Sequence, residues 1–187
     1  MNMSITTKRQ ILVPPRYEPL GMLPSVFLIG PIRGAPDWQG EATQCLTARH
    51  PNVHVFSPRS EMWSQGLPKE EKDALFDAQV DWEHVHISHA IRHGVICAWI
   101  PPEIETVEGR SYAQTTRFEM GVLFGLTMIS KLIGFVPGSE VRMAVGAHEE
   151  FSGRRYMQHT LGRSGVTIKS TFEETLAETT RLLCQMQ

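Results

Sequence analysis

Short apolar runs alternate with longer segments of mixed polarity along this chain. The runs are three to six residues long and most stop at a glycine or proline, as buried β-strands do. They cover residues 26–29, 53–56, 95–100, 132–136 and 166–168. The pattern predicts helices over residues 37–49, 72–92, 114–126, 147–161 and 171–186. Alternating strands and helices predict a parallel sheet covered on both faces.

The 187 residues are enough for one complete core, so we expect a single domain over residues 25–187. Residues 1–24 differ from the rest because they contain four prolines and little periodicity. We interpret them as an extended N-terminal arm that lies on the surface or against a neighbouring subunit.

The net charge indicates which partners to expect, and the cysteine content indicates the cellular compartment. Eighteen basic and twenty acidic residues give a formal net charge of −2, which favours neither nucleic acid nor an anionic membrane as partner. No apolar run approaches the ~20 residues that cross a bilayer. The cysteines Cys45, Cys97 and Cys184 are isolated and odd in number, as free thiols in a reducing compartment are. A cytoplasmic location is therefore expected.

The turn after the first predicted strand is the first candidate binding segment, because ligands of parallel sheets bind beyond the carboxyl ends of the strands. Gly30 and Gly34 would let backbone approach a ligand, Arg33 offers a planar cation, and Trp38 can stack on a flat ring. The GxGxxG and GxxxxGK[ST] fingerprints are absent. The alternative is a structural turn in which Asp37 caps a helix and Trp38 lies in the core.

Glu119 is the first candidate for chemistry because it lies in an apolar, helical segment. A carboxylate near a core is paired, protonated or used. It is either a nucleophile or general base, tuned by Arg110 or Arg117, or the acidic half of a buried ion pair with one of them.

A histidine-rich stretch raises the question of a metal site. His89 and His93 are four residues apart, and Glu83 and His86 three apart, so each pair can share a helix face. However, HExxH and any further ligand set are missing. A solvated or hydrogen-bonding face is favoured, and no metal is predicted.

Three segments in order resemble the nucleoside 2-deoxyribosyltransferase-like family. They are Val26–Ile32 with Asp37 and Trp38, Ile96–Pro101, and Thr116–Gly121 with Leu132–Val136, and the likeness spans about residues 25–138. The resemblance implies a flavodoxin-like (Rossmann-like) α/β domain, with a parallel sheet of about five strands flanked by helices.

The resemblance also implies an enzyme that cleaves or transfers the N-glycosidic bond of (deoxy)nucleosides. Glu119 would be the nucleophile and form a covalent glycosyl-enzyme ester, which a second base or water then discharges. No cofactor is implied, and the partners are a nucleoside or nucleotide and a free base. Homo-oligomers are expected, with pockets completed by a neighbour through the arm or Arg154–Tyr156.

One position departs from the family pattern. An Asp that assists proton transfer to the leaving base usually precedes the third strand, whereas His93 and Gly94 stand there in this chain. His93 could supply the proton near neutral pH, or Asp37 or Asp81 could supply a carboxyl, or the transferase activity is weak or lost.

The expected substrate-binding residues come from the loops: Gly30, Pro31, Ile32, Arg33, Trp38, Arg59, Arg110 and Arg117. Their arginines leave two alternatives open. The first is a hydrolase of nucleoside 5′-monophosphates. The second is a non-catalytic domain that binds or senses nucleotides.

Overall fold

The structure is a computed structural model that describes residues 11–21, 23–60, 67–132 and 141–186. The strands are β1 (Ile11–Leu12), β2 (Ser25–Ile29), β3 (His54–Phe56), β4 (Gly94–Ile100), β5 (Met143–Ala147) and β6 (Ile168–Lys169). The helices are α1 (Trp38–Arg49), α2 (Lys69–His93), α3 (Gln114–Leu132), α4 (Arg154–Gly162) and α5 (Phe172–Cys184).

All the strands pair in parallel in one sheet, in the order β1-β3-β2-β4-β5-β6. The two central strands, β2 and β4, pair along Ser25–Ile29 and Gly94–Ala98. From β2 the chain first moves to one side of the sheet to make β3 and then crosses to the other side to make β4. Such a change of direction opens a crevice at the carboxyl ends of the two central strands.

Helices cover both faces of the sheet, and the buried strands divide their side chains between two cores. In β4, Ile96, Ala98 and Ile100 face one core, which includes residues of α2, α3 and α4. Alternate residues of the same strand face the second core with α1 and α5: Val95, Cys97 and Trp99. Both faces are covered, so the central strands have continuous apolar sequences. The predicted α/β architecture is confirmed.

The N-terminal segment, which we interpreted as an arm, contributes the edge strand β1. Ile11 pairs with Val55, and Leu12 is fully buried. The carbonyl oxygen of Arg16 accepts a hydrogen bond from the indole nitrogen of Trp82 on α2, 2.8 Å away. This part of the segment is therefore held on the domain, and it raises the strand number above the predicted five.

The second half of the chain differs from the prediction at two points. Strand β5 lies in a segment of small residues, and the helix predicted from residue 147 begins at Arg154. Gly146 explains why this strand is hard to recognise, since a Cβ there would collide with Thr175 and Trp99. The strand predicted at residues 132–136 lies outside the described residues, apart from Leu132, which ends α3.

Among the described helices, none combines the length and apolar content that a membrane span needs.

Candidate active site

A cavity of about 430 Å³ lies in the crevice beyond the carboxyl ends of β2 and β4. Four parts of the chain line it: the turn after β2, Pro58 in the loop after β3, one side of α2, and the loop after β4 with the first turns of α3. Its volume falls within the range of small-molecule sites. Segments that follow β2, β3 and β4 therefore meet around one space.

The turn after β2 supplies Gly30, Pro31, Ile32 and Arg33 to the cavity wall. Gly30 is required by packing, because a Cβ there would collide with the carbonyl oxygen of Trp99 and with the Trp38 ring. The turn therefore lies directly on the central strand and forms part of the cavity wall.

Trp38 supports this turn from the core side. Its side chain is 2% exposed, its indole nitrogen donates to the Pro31 carbonyl oxygen at 3.0 Å, and its ring packs edge-on to Phe172. Trp38 is not among the residues that line the cavity. The structure thus places it as a core residue rather than as a stacking surface for a base.

Asp37 and Arg59 also have structural partners. The Asp37 carboxylate caps α1 by accepting a hydrogen bond from the Gly40 amide at 3.0 Å, and it pairs with Arg59 at 2.9 Å. The Arg59 guanidinium also donates to the carbonyl oxygens of Ile32 and Pro36, at 3.3 and 2.9 Å. Arg59 therefore holds the turn in place, and neither side chain lines the cavity.

The loop after β4 is anchored by Tyr112, whose hydroxyl donates to the carbonyl oxygens of Pro101 and Pro102, at 2.8 and 3.3 Å. Burial, followed by the charge of Glu103, raises the pKa of Tyr112, so the hydroxyl stays protonated. Ala113 then takes a left-handed conformation with φ of 55°, which is strained for alanine. This turn brings the start of α3 to the cavity.

Glu119 projects into the cavity from the second turn of α3, next to buried Thr116. Within the described part of the chain, no arginine, lysine or histidine pairs with it. Burial, and then the charge of Glu83, raises its pKa to about 8. The ion-pair alternative for Glu119 is therefore not supported by the structure.

Of the two arginines that were candidate tuners of Glu119, only one lines the cavity. Arg110 is exposed and lines the cavity. The Arg117 guanidinium packs over the Phe151 ring, 4.8 Å from its centre, and does not line the cavity.

One wall of the site, formed by α2, was not predicted from the sequence. Lining residues recur on this helix every three or four positions, as expected for one helix face: Lys72, Asp73, Phe76, Gln79, Val80 and Glu83. Burial raises the pKa of Glu83, and a hydrogen bond from Gln79 and the charge of His84 oppose this shift only in part. The available signal was this spacing, which the nearby histidines obscured.

His93 lies at the wrong end of the sheet for the role considered above. It ends α2, and β4 begins at the next residue, whereas the cavity is at the other end of β4. Seven strand residues separate the two ends, which is roughly 20 Å. Asp81 is exposed on α2 and does not line the cavity either. In the described ranges, no group of three or more His, Cys, Asp or Glu is placed to hold a metal ion.

Comparison with known proteins gives one positive result. A search of curated proteins found no match. The sequence model described as "Nucleoside 2-deoxyribosyltransferase like" matches residues 23–136, which include β2, β4, the cavity loops and Glu119. This range is more than half of the 187 residues, and the fold agrees with it. The chain therefore belongs to the nucleoside 2-deoxyribosyltransferase-like family.

Proposed function

We propose that this protein cleaves or transfers the N-glycosidic bond of a (deoxy)nucleoside, with Glu119 as the nucleophile. Family membership indicates an enzyme of nucleosides. The observation that carries the proposal is the position of Glu119, which faces an open cavity and has no cationic partner among the described residues.

The environment of Glu119 suits this reaction. Its carboxylate would attack the anomeric carbon while positive charge develops on the sugar ring. Burial, which makes ionisation of Glu119 costly in the free protein, strengthens the attraction between that carboxylate and the developing charge. Because the nucleophile must be ionised, activity should rise with pH towards about 8.

The remaining walls offer a nucleoside both apolar and polar contacts. Phe76, Val80 and Val107 provide apolar surface for a base. Thr116 and Gln114 provide polar groups at the start of α3 for a sugar.

A nucleoside 5′-monophosphate is the second candidate substrate. Arg33, Lys72 and Arg110 line the same cavity on three different segments, and all three are exposed. Such a set of cations suits a phosphate. Water would then be the acceptor, and free base and sugar phosphate the products.

Liquid chromatography of wild-type protein with mixed nucleosides and bases, run beside nucleoside monophosphates, tests both candidates. Base exchange indicates a transferase, and release of base alone indicates a hydrolase. Mass spectrometry of protein quenched during turnover should show a glycosyl adduct on Glu119. Nucleotide-dependent thermal stabilisation without any product would instead support a non-catalytic binding domain.

We also propose a homo-oligomer, with a second copy packed on α3. Four residues form an exposed apolar stripe on this helix, on the side that borders Glu119: Phe118, Val122, Leu126 and Ile129. Phe118 is 74% exposed. Gly125 lies within the stripe and would let a second helix approach closely.

Light scattering with size-exclusion chromatography tests this interface. Leu126→Glu should convert the assembly to monomers, whereas Glu173→Gln on the exposed side of α5 should not. A wild-type protein that is monomeric at micromolar concentration would contradict the proposal.

A further inference from the structure

Thr116, on α3, does not use its hydroxyl inside the protein in the way that other helical threonines do. A threonine within a helix usually donates to the carbonyl oxygen one turn earlier. Five threonines of α1, α3 and α5 do so, at 2.7 to 2.9 Å: Thr43, Thr47, Thr127, Thr175 and Thr179. Among the described residues, the Thr116 hydroxyl has no hydrogen-bond partner.

The left-handed turn before α3 explains this difference. The residue four positions before Thr116 is Tyr112, and Ala113 follows it with φ of 55°. This dihedral angle takes the Tyr112 carbonyl out of the helical row. The first hydrogen bond of α3 between residues four apart runs from the Arg117 amide to the Ala113 carbonyl oxygen, at 2.9 Å. The Thr116 hydroxyl therefore lacks its usual acceptor, next to a backbone position of the strained kind that recurs at functional sites.

The Thr116 hydroxyl reaches the cavity close to Glu119. Thr116 lines the cavity although it is only 2% exposed, and its oxygen is not one of the buried side-chain atoms that lack a partner, so the exposed part includes the hydroxyl. Glu119 follows three residues later and lines the same cavity. Side chains at this spacing are neighbours on a helix, with Cβ atoms roughly 5–6 Å apart. A ligand that reaches Glu119 therefore meets a hydroxyl that can both donate and accept.

We infer that Thr116 binds the 2′-hydroxyl of the sugar, so that the substrate is a ribonucleoside rather than a 2′-deoxyribonucleoside. This inference rests on the proposed function. In a ribonucleoside, the base and the 2′-hydroxyl lie on opposite faces of the sugar ring. Glu119 attacks the anomeric carbon on the face opposite the base, which is the face that carries the 2′-hydroxyl. The carbon under attack is bonded directly to the carbon that bears this hydroxyl, so a group beside Glu119 is well placed to bind it.

This contact would act in the reaction as well as in binding. Hydrogen bonds to the hydroxyl next to the anomeric carbon strengthen in the transition state of glycoside cleavage. A site built around a substrate hydroxyl also discriminates against the analogue that lacks it, because the protein group then loses its partner. The other polar side chains at this end of the cavity differ from Thr116. The Tyr112 hydroxyl is already bonded to Pro101 and Pro102, and Gln114 is exposed.

Substrates that differ by one hydroxyl test the assignment. The four ribonucleosides and their 2′-deoxy and 3′-deoxy analogues, each with and without a 5′-phosphate, are compared by kcat/KM. We expect the wild type to cleave ribonucleosides. Thr116→Val should lower kcat/KM for them about 30-fold and change that of the 2′-deoxy analogues less than about threefold. Thr116→Ser keeps the hydroxyl and should retain at least about a third of the wild-type value on ribonucleosides. Because each substrate is compared with itself between variants, the intrinsic reactivity of its glycosidic bond cancels.

Thr127→Val on the same helix is the matched control. Its hydroxyl bonds the Leu123 carbonyl oxygen and it does not line the cavity, so this change should leave kcat/KM unaltered. Binding gives a readout without turnover. In calorimetry on Glu119→Gln protein, adding Thr116→Val should weaken ribonucleoside binding about tenfold and leave binding of the 2′-deoxy analogue unchanged.

Four outcomes would contradict the inference or its basis. Equal losses on all three sugars would show that Thr116 acts through the fold or through Glu119, and would overturn the inference. A loss on ribonucleosides and 2′-deoxy analogues that is absent from the 3′-deoxy analogues would assign Thr116 to the 3′-hydroxyl, and would also overturn it. A wild type that cleaves only 2′-deoxynucleosides would overturn the inference and leave the proposed function intact. No cleavage of any substrate would contradict the proposed function, and the calorimetry would then decide the sugar contact by itself.

Discussion

Both ends of the sheet contain ionisable side chains whose pKa values are shifted by burial, but the surroundings of these side chains differ. At the carboxyl end, Glu83 and Glu119 face the cavity, and burial raises the pKa of each. Nearer the amino end, burial lowers the pKa values of imidazoles, among them His54, His86 and His89. Burial has one effect in both places, because it favours the neutral form of any ionisable group.

The contacts of these groups differ. The His86 ring stacks on Trp82 at 4.1 Å between ring centres, lies edge-on to Phe56 at 4.7 Å, and shares a hydrogen bond with the Trp82 carbonyl oxygen. Glu119 instead borders open space. A shifted pKa alone therefore does not identify an active site, and space for a substrate beside the shifted group is the second requirement.

The largest expected effect concerns activity. Glu119→Gln should lower turnover roughly 10⁴-fold, because the nucleophile is lost, while His93→Gln should change it less than about twofold. Turnover of the best substrate from the nucleoside panel measures both, with circular dichroism as the control for folding. If His93→Gln lowered turnover as much as Glu119→Gln does, the amino end of the sheet would matter for activity as much as the cavity, which would contradict this prediction.

The next largest effect concerns stability near the amino end of the sheet, which we call the histidine end because His54, His86 and His89 lie towards it. Trp82 is fully buried against Phe27 and His86, so Trp82→Ala should lower the free energy of unfolding by about 4 kcal/mol. Phe76, on the same helix but 57% exposed in the cavity wall, is the matched control. Phe76→Ala should cost less than about 1 kcal/mol. Urea denaturation measures both, and equal costs would show that the cavity wall is packed as tightly as the histidine end.

At the cavity, the ionisation of Glu119 should make the protein less stable as pH rises. Folded protein keeps the Glu119 proton up to about pH 8, whereas the unfolded chain releases it near 4.5, so ionisation of this group makes the wild type less stable as pH rises through this window. Glu119→Gln cannot ionise. Its free energy of unfolding relative to wild type should therefore increase by about 2 kcal/mol between pH 6 and pH 9. Parallel stability curves would mean that Glu119 is well solvated.

At the histidine end, stability should instead fall as pH drops. Burial, followed by the charges of His93, His54, His86 and Arg92, lowers the pKa of His89 to about 4. The unfolded chain takes up a proton near 6.5, so stability falls as pH drops through this window. His89→Gln should escape this loss and gain about 1 kcal/mol relative to wild type between pH 7 and pH 5, a value reduced for the partial exposure of the ring. Denaturation at the two pH values tests it, and no relative gain would contradict the burial argument.

Much of the fold could be predicted because its signals are local. Val95–Ile100 is an uninterrupted apolar run stopped by prolines, and it forms the central strand β4. The last helix begins where Thr171 and Glu174 form a capping box. Strand β5 escaped prediction because its small side chains are selected by the packing of Trp99 and Thr175 against Gly146, and these contacts are distant in sequence.

The residues of the candidate site also fall into two groups: those with a local sequence signal and those whose position depends on packing. Glu119 and the Gly30 turn were identifiable from residues that are adjacent in sequence, and both line the cavity. Glu83 was hidden, because its place in the same cavity as Glu119 depends on how α2 and α3 pack on one face of the sheet. The indole of Trp38 could have faced a ligand or the core, and only the close contact with Gly30 decided between them.

By itself, the sequence determined the alternation of strands and helices, the parallel sheet, and the carboxylate that lies at its carboxyl end, but not the strands β1 and β5. Those features depend on periodicity, capping and turn residues, which act within a few residues. The tertiary structure decided which ionisable groups share a space. It placed Glu83 in one cavity with Glu119, paired Asp37 with Arg59, and moved His93 to the far end of β4. Proximity between helices and burial from water arise only when the chain packs, and both set the chemistry of a carboxyl group.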